Sequence, residues 1–195
     1  MIIPPNKKGE MLVSEIQKRE PNLDLVRDLI TLGANLDWQD EDGRTALHRC
    51  TKSNHPEIAR MLIDAEADLN IQRNGGWTAL HICADWNRPE ILRMLIDAGA
   101  NVDIQDNNNM TSIHWCAWKN RIGMAKFLID AGADVNIQDN GGWTALHWWS
   151  AWNNRIGGMA KLLIDAGADK TIPNNEGKLP YELADTQELI ELLKA

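Results

Sequence analysis

The chain has 195 residues and carries 20 basic against 28 acidic side chains, a formal net charge of −8, so it is long enough to bury a core unaided and poorly charged for a nucleic-acid backbone. Its apolar stretches fall far short of the roughly 20 residues of a membrane helix, and the start Met1-Ile2-Ile3-Pro4-Pro5 has no signal-peptide core. Three cysteines in a chain of this size favour a reducing, intracellular compartment, cytoplasm before nucleus, over a disulfide framework.

In chain order, residues 11–39 read as an amino-terminal half unit whose Lys18, Arg19 and Glu20 suit a solvent-facing cap. A period follows. His48, His81, His114 and His147 are each 33 residues apart, the mark of stacked units. Each closes a similar string: Gly43-Arg44-Thr45-Ala46-Leu47-His48, Gly76-Trp77-Thr78-Ala79-Leu80-His81, Asn109-Met110-Thr111-Ser112-Ile113-His114 and Gly142-Trp143-Thr144-Ala145-Leu146-His147. The threonines precede apolar runs, where a hydroxyl caps a first helix. Pro56 and Pro89 suit the first turn of a second helix, and Gly33, Gly99, Gly132 and Gly167 suit the left-handed residue that stops it. Glu66 stands in that stop slot, which predicts a positive φ at a cost of order 1 kcal/mol. The units run 40–72, 73–105, 106–138 and 139–173, with a closing cap at 174–195 whose helix is expected near Asp185. The fourth unit has two extra residues, which alignment places near Trp149, asking for a π-bulge, and at Gly157-Gly158.

These strings resemble the ankyrin repeat family, whose unit opens its first helix with Gly-x-Thr-Pro-Leu-His and closes its second with Leu-Leu-x-x-Gly-Ala-Asp. Ala46, Ala79, Ser112 and Ala145 stand where the family has Pro. The resemblance implies an all-α ankyrin-repeat solenoid of stacked helix-turn-helix units with β-turn fingers, a single domain over 1–195, and no enzyme. The imidazoles are then scaffold, hydrogen-bonded at a buried seam. Cys50, Cys83 and Cys116 follow the histidines by two residues, point away from them on a helix and read as packing. Ser112 is misdirected as a nucleophile, while spacing alone leaves Ser150 beside His147 open. No catalytic residue, metal site or cofactor is expected.

The resemblance also implies where a partner sits: on turn tips and the exposed side of the first helix. The slot before each threonine holds Arg44, Trp77, Met110 and Trp143. The fourth and fifth residues after the histidines add Asp85, Trp86, Trp118 and Lys119, with Trp152 equivalent once one inserted residue is allowed. Trp115, Trp148 and Trp149 form a second rank, the first two half-buried. Nine Trp against one Tyr and one Phe is a bias that core filling does not explain, and clustered surface indoles mark binding surfaces. The expected function is a module that binds another protein or peptide, with no nucleic acid or membrane. Two further readings use the same residues: an aromatic cage beside Asp85 for a methylated lysine, similar to the ankyrin domains of certain histone-lysine methyltransferases, and a homodimer through the indole patch. Gly123, Gly157 and Gly158, at the start of second helices, read as room for indoles or ligand. The tryptophan bias also suits a scaffold with a redesigned face.

Overall fold

The computed structural model describes residues 3–152 and 158–194, and all regular structure among them is helical. The chain opens with α1 (Pro5–Ile16) and α2 (Leu23–Thr31). Helix pairs follow: α3 (Ala46–Ser53) and α4 (Pro56–Asp64), α5 (Ala79–Trp86) and α6 (Pro89–Asp97), α7 (Ser112–Trp118) and α8 (Ile122–Asp130), α9 (Ala145–Trp152) and α10 (Gly158–Asp165). A 3₁₀ turn at Pro180–Leu183 and α11 (Gln187–Lys194) end it. The helices divide between two compact units, Met1–Asn101 and Val102–Ala195. In the first, α3 packs on α1, α4 and α5, and the second helices α2, α4 and α6 pack in series. In the second, α9 packs on α7, α10 and the 3₁₀ turn, and α8 on α10.

Each first helix starts on a threonine whose side chain is tied to the imidazole three residues on. Thr45 holds an extended conformation, its N–H donates to His48 Nδ1 at 3.2 Å and its Oγ1 lies 2.9 Å from the same nitrogen. Because Nδ1 accepts the backbone proton, Nε2 carries the imidazole hydrogen and donates it to the Trp77 carbonyl at 2.9 Å. Thr78–His81, Thr111–His114 and Thr144–His147 repeat the local pair at 2.9 Å. His114 Nε2 reaches the carbonyls of Ile137 and Trp143, and His147 Nε2 that of Lys178. A buried ring thus closes one helix cap and ties it to the next finger, so removing it would orphan several buried polar groups. Burial pushes the His48 imidazole down to about 4, and lowers His114 and His147 below their ordinary value.

The second helices end as the periodicity requires. Gly33, Gly99, Gly132 and Gly167 all have positive φ, and Glu66 has φ +63° in the equivalent place. Glu66 N–H donates to the Ile63 carbonyl and Ala67 N–H to that of Leu62, the double closure of a Schellman cap. Pro56 and Pro89 occupy the first turns of α4 and α6.

Three expectations are corrected. The amino-terminal cap is not a half unit from Met11: α1 begins at Pro5, and Leu12, Val13 and Ile16 on it are buried against α2 and α3. No π-bulge sits at Trp149, because α9 is continuous α-helix and its Ser150 hydroxyl donates to the Leu146 carbonyl at 2.7 Å just as Thr51 donates to that of Leu47. Both extra residues therefore fall between Trp152 and Gly158, outside the described residues, as does Gly157. Nor does Gly123 make room for an indole: a Cβ built there meets nothing within 4 Å, and one at Gly158 meets the Ile122 side chain.

Candidate partner-binding site

The finger before each first helix is organised by its leading residue. Asp40 Oδ1 accepts the N–H groups of Asp42 and Arg44, Asp106 those of Asn108 and Met110, Asp139 those of Gly141 and Trp143, and Asn174 those of Glu176 and Lys178. In two fingers the second carboxylate oxygen also grips the residue after the histidine: Asp40 Oδ2 pairs with Arg49, and Asp139 Oδ2 accepts from Trp148 Nε1 at 2.8 Å. Burial alone would raise the Asp40 carboxyl, but the Arg44 and Asp42 N–H groups and the Arg49 guanidinium hold it below its ordinary value. Arg73 breaks the column. It stands where the other fingers have Asp or Asn, and Ile82 stands where Arg49 and Trp148 donate.

In Val102–Ala195 the fingers and first helices bring four indoles into one chain of ring contacts. Trp115 lies 5.1 Å from Trp118, Trp118 5.3 Å from Trp148, and Trp148 5.2 Å from Trp143, with tilts of 42°, 40° and 52°, a spacing and tilt favoured by aromatic quadrupoles. All four are half-buried. Trp143 also leans on the His147 ring at 6.1 Å, and the Lys119 ammonium sits 4.5 Å above Trp118. In the same unit Ile113, Cys116, Ala117, Leu146 and Trp149 are buried, whereas these four indoles keep part of their surface in solvent.

In Met1–Asn101 the equivalent positions frame a cavity of about 270 Å³, lined by Arg44, Lys52, Arg73, Trp77, Asp85 and Trp86 among others. Trp77 is half-buried, lies 6.3 Å from the His81 ring and carries the Arg73 guanidinium 4.9 Å over its face. Trp86 is exposed, with the Lys52 ammonium 5.6 Å over it. Arg44 is paired with Asp42 at 2.6 Å.

The structure distributes the expected contact residues unevenly. Of the expected tryptophans, Trp86 and Trp152, 49% and 63% exposed, stand out into solvent. Trp77, Trp118 and Trp143 are half-buried, because rings this large settle on neighbouring rings and imidazoles instead of projecting. Trp115 and Trp148 are half-buried as the sequence suggests, as are Arg44 and Asp85, and Lys119 is exposed. Met110 is 4% exposed and therefore presents no surface to a partner, contrary to the expectation. Trp149 is 1% exposed and is likewise withdrawn as a contact. It occupies the slot of Cys50, Cys83 and Cys116, on the helix followed by the short 3₁₀ turn instead of a full first helix. With no insertion inside α9, Trp152 corresponds to Trp86, not to Trp118. Ser150, turned back onto Leu146, is no partner for His147, and burial pushes the Cys50 thiol up to about 12, which leaves it inert. Among the described residues no cluster of His, Cys, Asp or Glu could hold a metal ion, and no helix is long and apolar enough to cross a membrane. Asp139 is the site residue missed: the Asp repeated at 40, 106 and 139 was the available signal.

Repeating helix pairs, Thr–His caps and turn fingers define a repeat scaffold of the kind used for protein recognition. The chain belongs to the ankyrin repeat family, whose model, described as ankyrin repeats (3 copies), matches residues 12–106, 95–174 and 113–194. Among solved structures it is similar to the crystal structure of the ankyrin repeat domain of Bcl-3, described as a unique member of the IkappaB protein family, with 29% identity and a TM-score of 0.79 over 88% of this chain and 77% of that one. No individual curated protein sequence matches it. Ankyrin repeats generally mediate protein–protein interaction, and the fold is a non-enzymatic scaffold.

Proposed function

We propose that the chain is a protein-interaction module of a reducing compartment and that its partner is gripped by the indole layer of Val102–Ala195, chiefly Trp118, Trp143 and Trp148. One observation carries this reading: four half-buried indoles of one unit stand in mutual ring contact, although the positions buried around them are held mostly by aliphatic side chains and Cys116. Trp is the residue most enriched among interface hot spots. Asp139 fixes the rim, holding the Trp148 ring through Nε1 and the Trp143 backbone through its N–H, so the surface is organised before a partner arrives and less ordering entropy opposes binding. A methyl-lysine cage beside Asp85 has less support, since the neighbouring Trp77 and Trp86 faces already carry this chain's own Arg73 and Lys52.

Crosslinked partners recovered with the wild-type chain should be lost with the Trp118→Ala/Trp143→Ala double variant, each change costing about 2 kcal/mol or more of affinity, while its circular dichroism at the assay temperature stays that of the folded chain even though loss of the ring contacts lowers its unfolding midpoint. Recovery of the same proteins by the double variant would sink the reading. Sedimentation at rising concentration tests a second copy of the chain as occupant.

A further inference from the structure

We propose that the cavity in Met1–Asn101 framed by Arg44, Lys52, Arg73, Trp77 and Trp86 is a separate contact site that takes an acidic side chain, aspartate or glutamate, from a peptide segment of a partner protein. The inference rests on the reading of the chain as an interaction module, but on residues that the indole layer of the other unit does not use.

The first support is the turn column. Asp40, Asp106, Asp139 and Asn174 each accept two backbone N–H groups of their own finger. Arg73 has no acceptor, so its finger forgoes those bonds, and its guanidinium donates instead to the Asn74 carbonyl at 2.7 Å. Ile82 completes the departure by removing the donor that Arg49 and Trp148 supply elsewhere. The position is therefore occupied by a residue that serves the turn worse than the aspartate used in neighbouring fingers, and departures of this kind mark functional sites.

The second support is charge. Arg44, Arg49, Lys52 and Arg73 line the cavity against a single lining carboxylate, Asp85, in a chain of net charge −8. Arg49 and Arg44 already hold Asp40 and Asp42. Arg73 and Lys52 have no ion pair among the described residues, and each is laid over an indole instead. Burial and the like charge of Arg44 lower the affinity of Arg73 for its own proton, offset only in part by the Asp42 carboxylate. A carboxylate entering beside them relieves that repulsion and finds a planar guanidinium fork, the geometry best matched to it.

The choice of a peptide follows from range. Beyond a Debye length of about 10 Å an approaching polyanion meets the net negative charge of the whole chain, which disfavours nucleic acid and acidic lipid. A lone acidic residue feels only the local cations. With about 270 Å³ of space and Asp85 in its wall, the cavity suits one acidic side chain beside an apolar one, not a run of phosphates.

The test titrates the full chain with a fluorescein-labelled peptide carrying a single Glu flanked by Leu and otherwise uncharged, read by anisotropy, against the same peptide with Gln for Glu and against duplex DNA. The Glu peptide should bind with a salt-sensitive affinity, and the Gln peptide and the DNA roughly tenfold more weakly or less. Arg73→Asp should weaken the Glu peptide by about tenfold or more while raising the unfolding midpoint, because the finger regains its acceptor. Lys52→Gln should weaken binding with the midpoint unchanged, and it keeps the test decisive if Arg73→Asp misfolds. Equal affinity for the Glu and Gln peptides, tighter binding of DNA, or unchanged affinity in both variants overturns the proposal. None of these results touches the indole reading, whose residues lie in Val102–Ala195.

Discussion

Replacing Glu66 by glycine should stabilise the protein. Glu66 is exposed and follows the C-cap of α4 with φ +63°, a conformation that costs an L-residue with a Cβ about 1–2 kcal/mol. Glycine removes that cost but adds about 0.4–1 kcal/mol of unfolded-state freedom. Deleting a negative charge at the negative end of a helix returns a further 0.3–1 kcal/mol or so. The balance is about 1 kcal/mol in favour of Glu66→Gly, which for a chain of this size raises the thermal midpoint by about 2–4 °C. Differential scanning calorimetry or a urea titration reads it directly. Glu66→Gln serves as the control that removes the charge but keeps the Cβ, and should recover less than half of the gain. A glycine variant no more stable than the glutamine variant would refute the backbone argument and with it the placement of this helix end.

Acid should destabilise the fold over a definite window. An unfolded imidazole titrates near 6.5, while burial holds His48 at about 4 and also lowers His114 and His147. Between those values the unfolded chain binds more protons, so stability is fully present above about pH 6.5 and is lost as pH falls toward 4. Urea midpoints at about pH 7 and pH 5 should differ by some 2 kcal/mol or more, and a flat profile would count against buried neutral imidazoles. Gly123→Ala, at an exposed helical site where a Cβ meets nothing, should gain up to about 1 kcal/mol in the same titration, and a loss would mean the space is needed. Trp149→Ala should cost about 3–5 kcal/mol, whereas Trp152→Ala should stay within about 0.5 kcal/mol; similar midpoints for the two would contradict their opposite burial.

Much of the scaffold was legible because repetition converts spacing into geometry. Four Thr–His pairs at one period mark the first helices, and the glycine column that closes the second helices exposed Glu66 as a left-handed residue from register alone. The unit ends were less legible: α1 lacks the Thr–His signature, so nothing in the pattern pointed to Pro5. Burial of particular side chains was harder still, because a slot names a Cβ direction and not the rotamer beyond it. Met110 shares a slot with Trp77 and Trp143, yet a thioether bends inward where an indole cannot. Trp149 was misplaced because the two extra residues of its unit were split, one of them being put inside α9. Arg73 was readable in principle as the one cation in a column of Asp and Asn, but only the cavity beside it gives the exception a meaning.

The burial of Trp149 makes the chain its own optical probe. An indole sealed from water emits at shorter wavelength than the solvated rings of Trp86 and Trp152, and Trp149 belongs to the second compact unit, so the blue edge of the fluorescence spectrum follows that unit's integrity. Its emission resists an aqueous quencher such as iodide while the surface rings respond, so loosening of Val102–Ala195 can be watched without any attached dye.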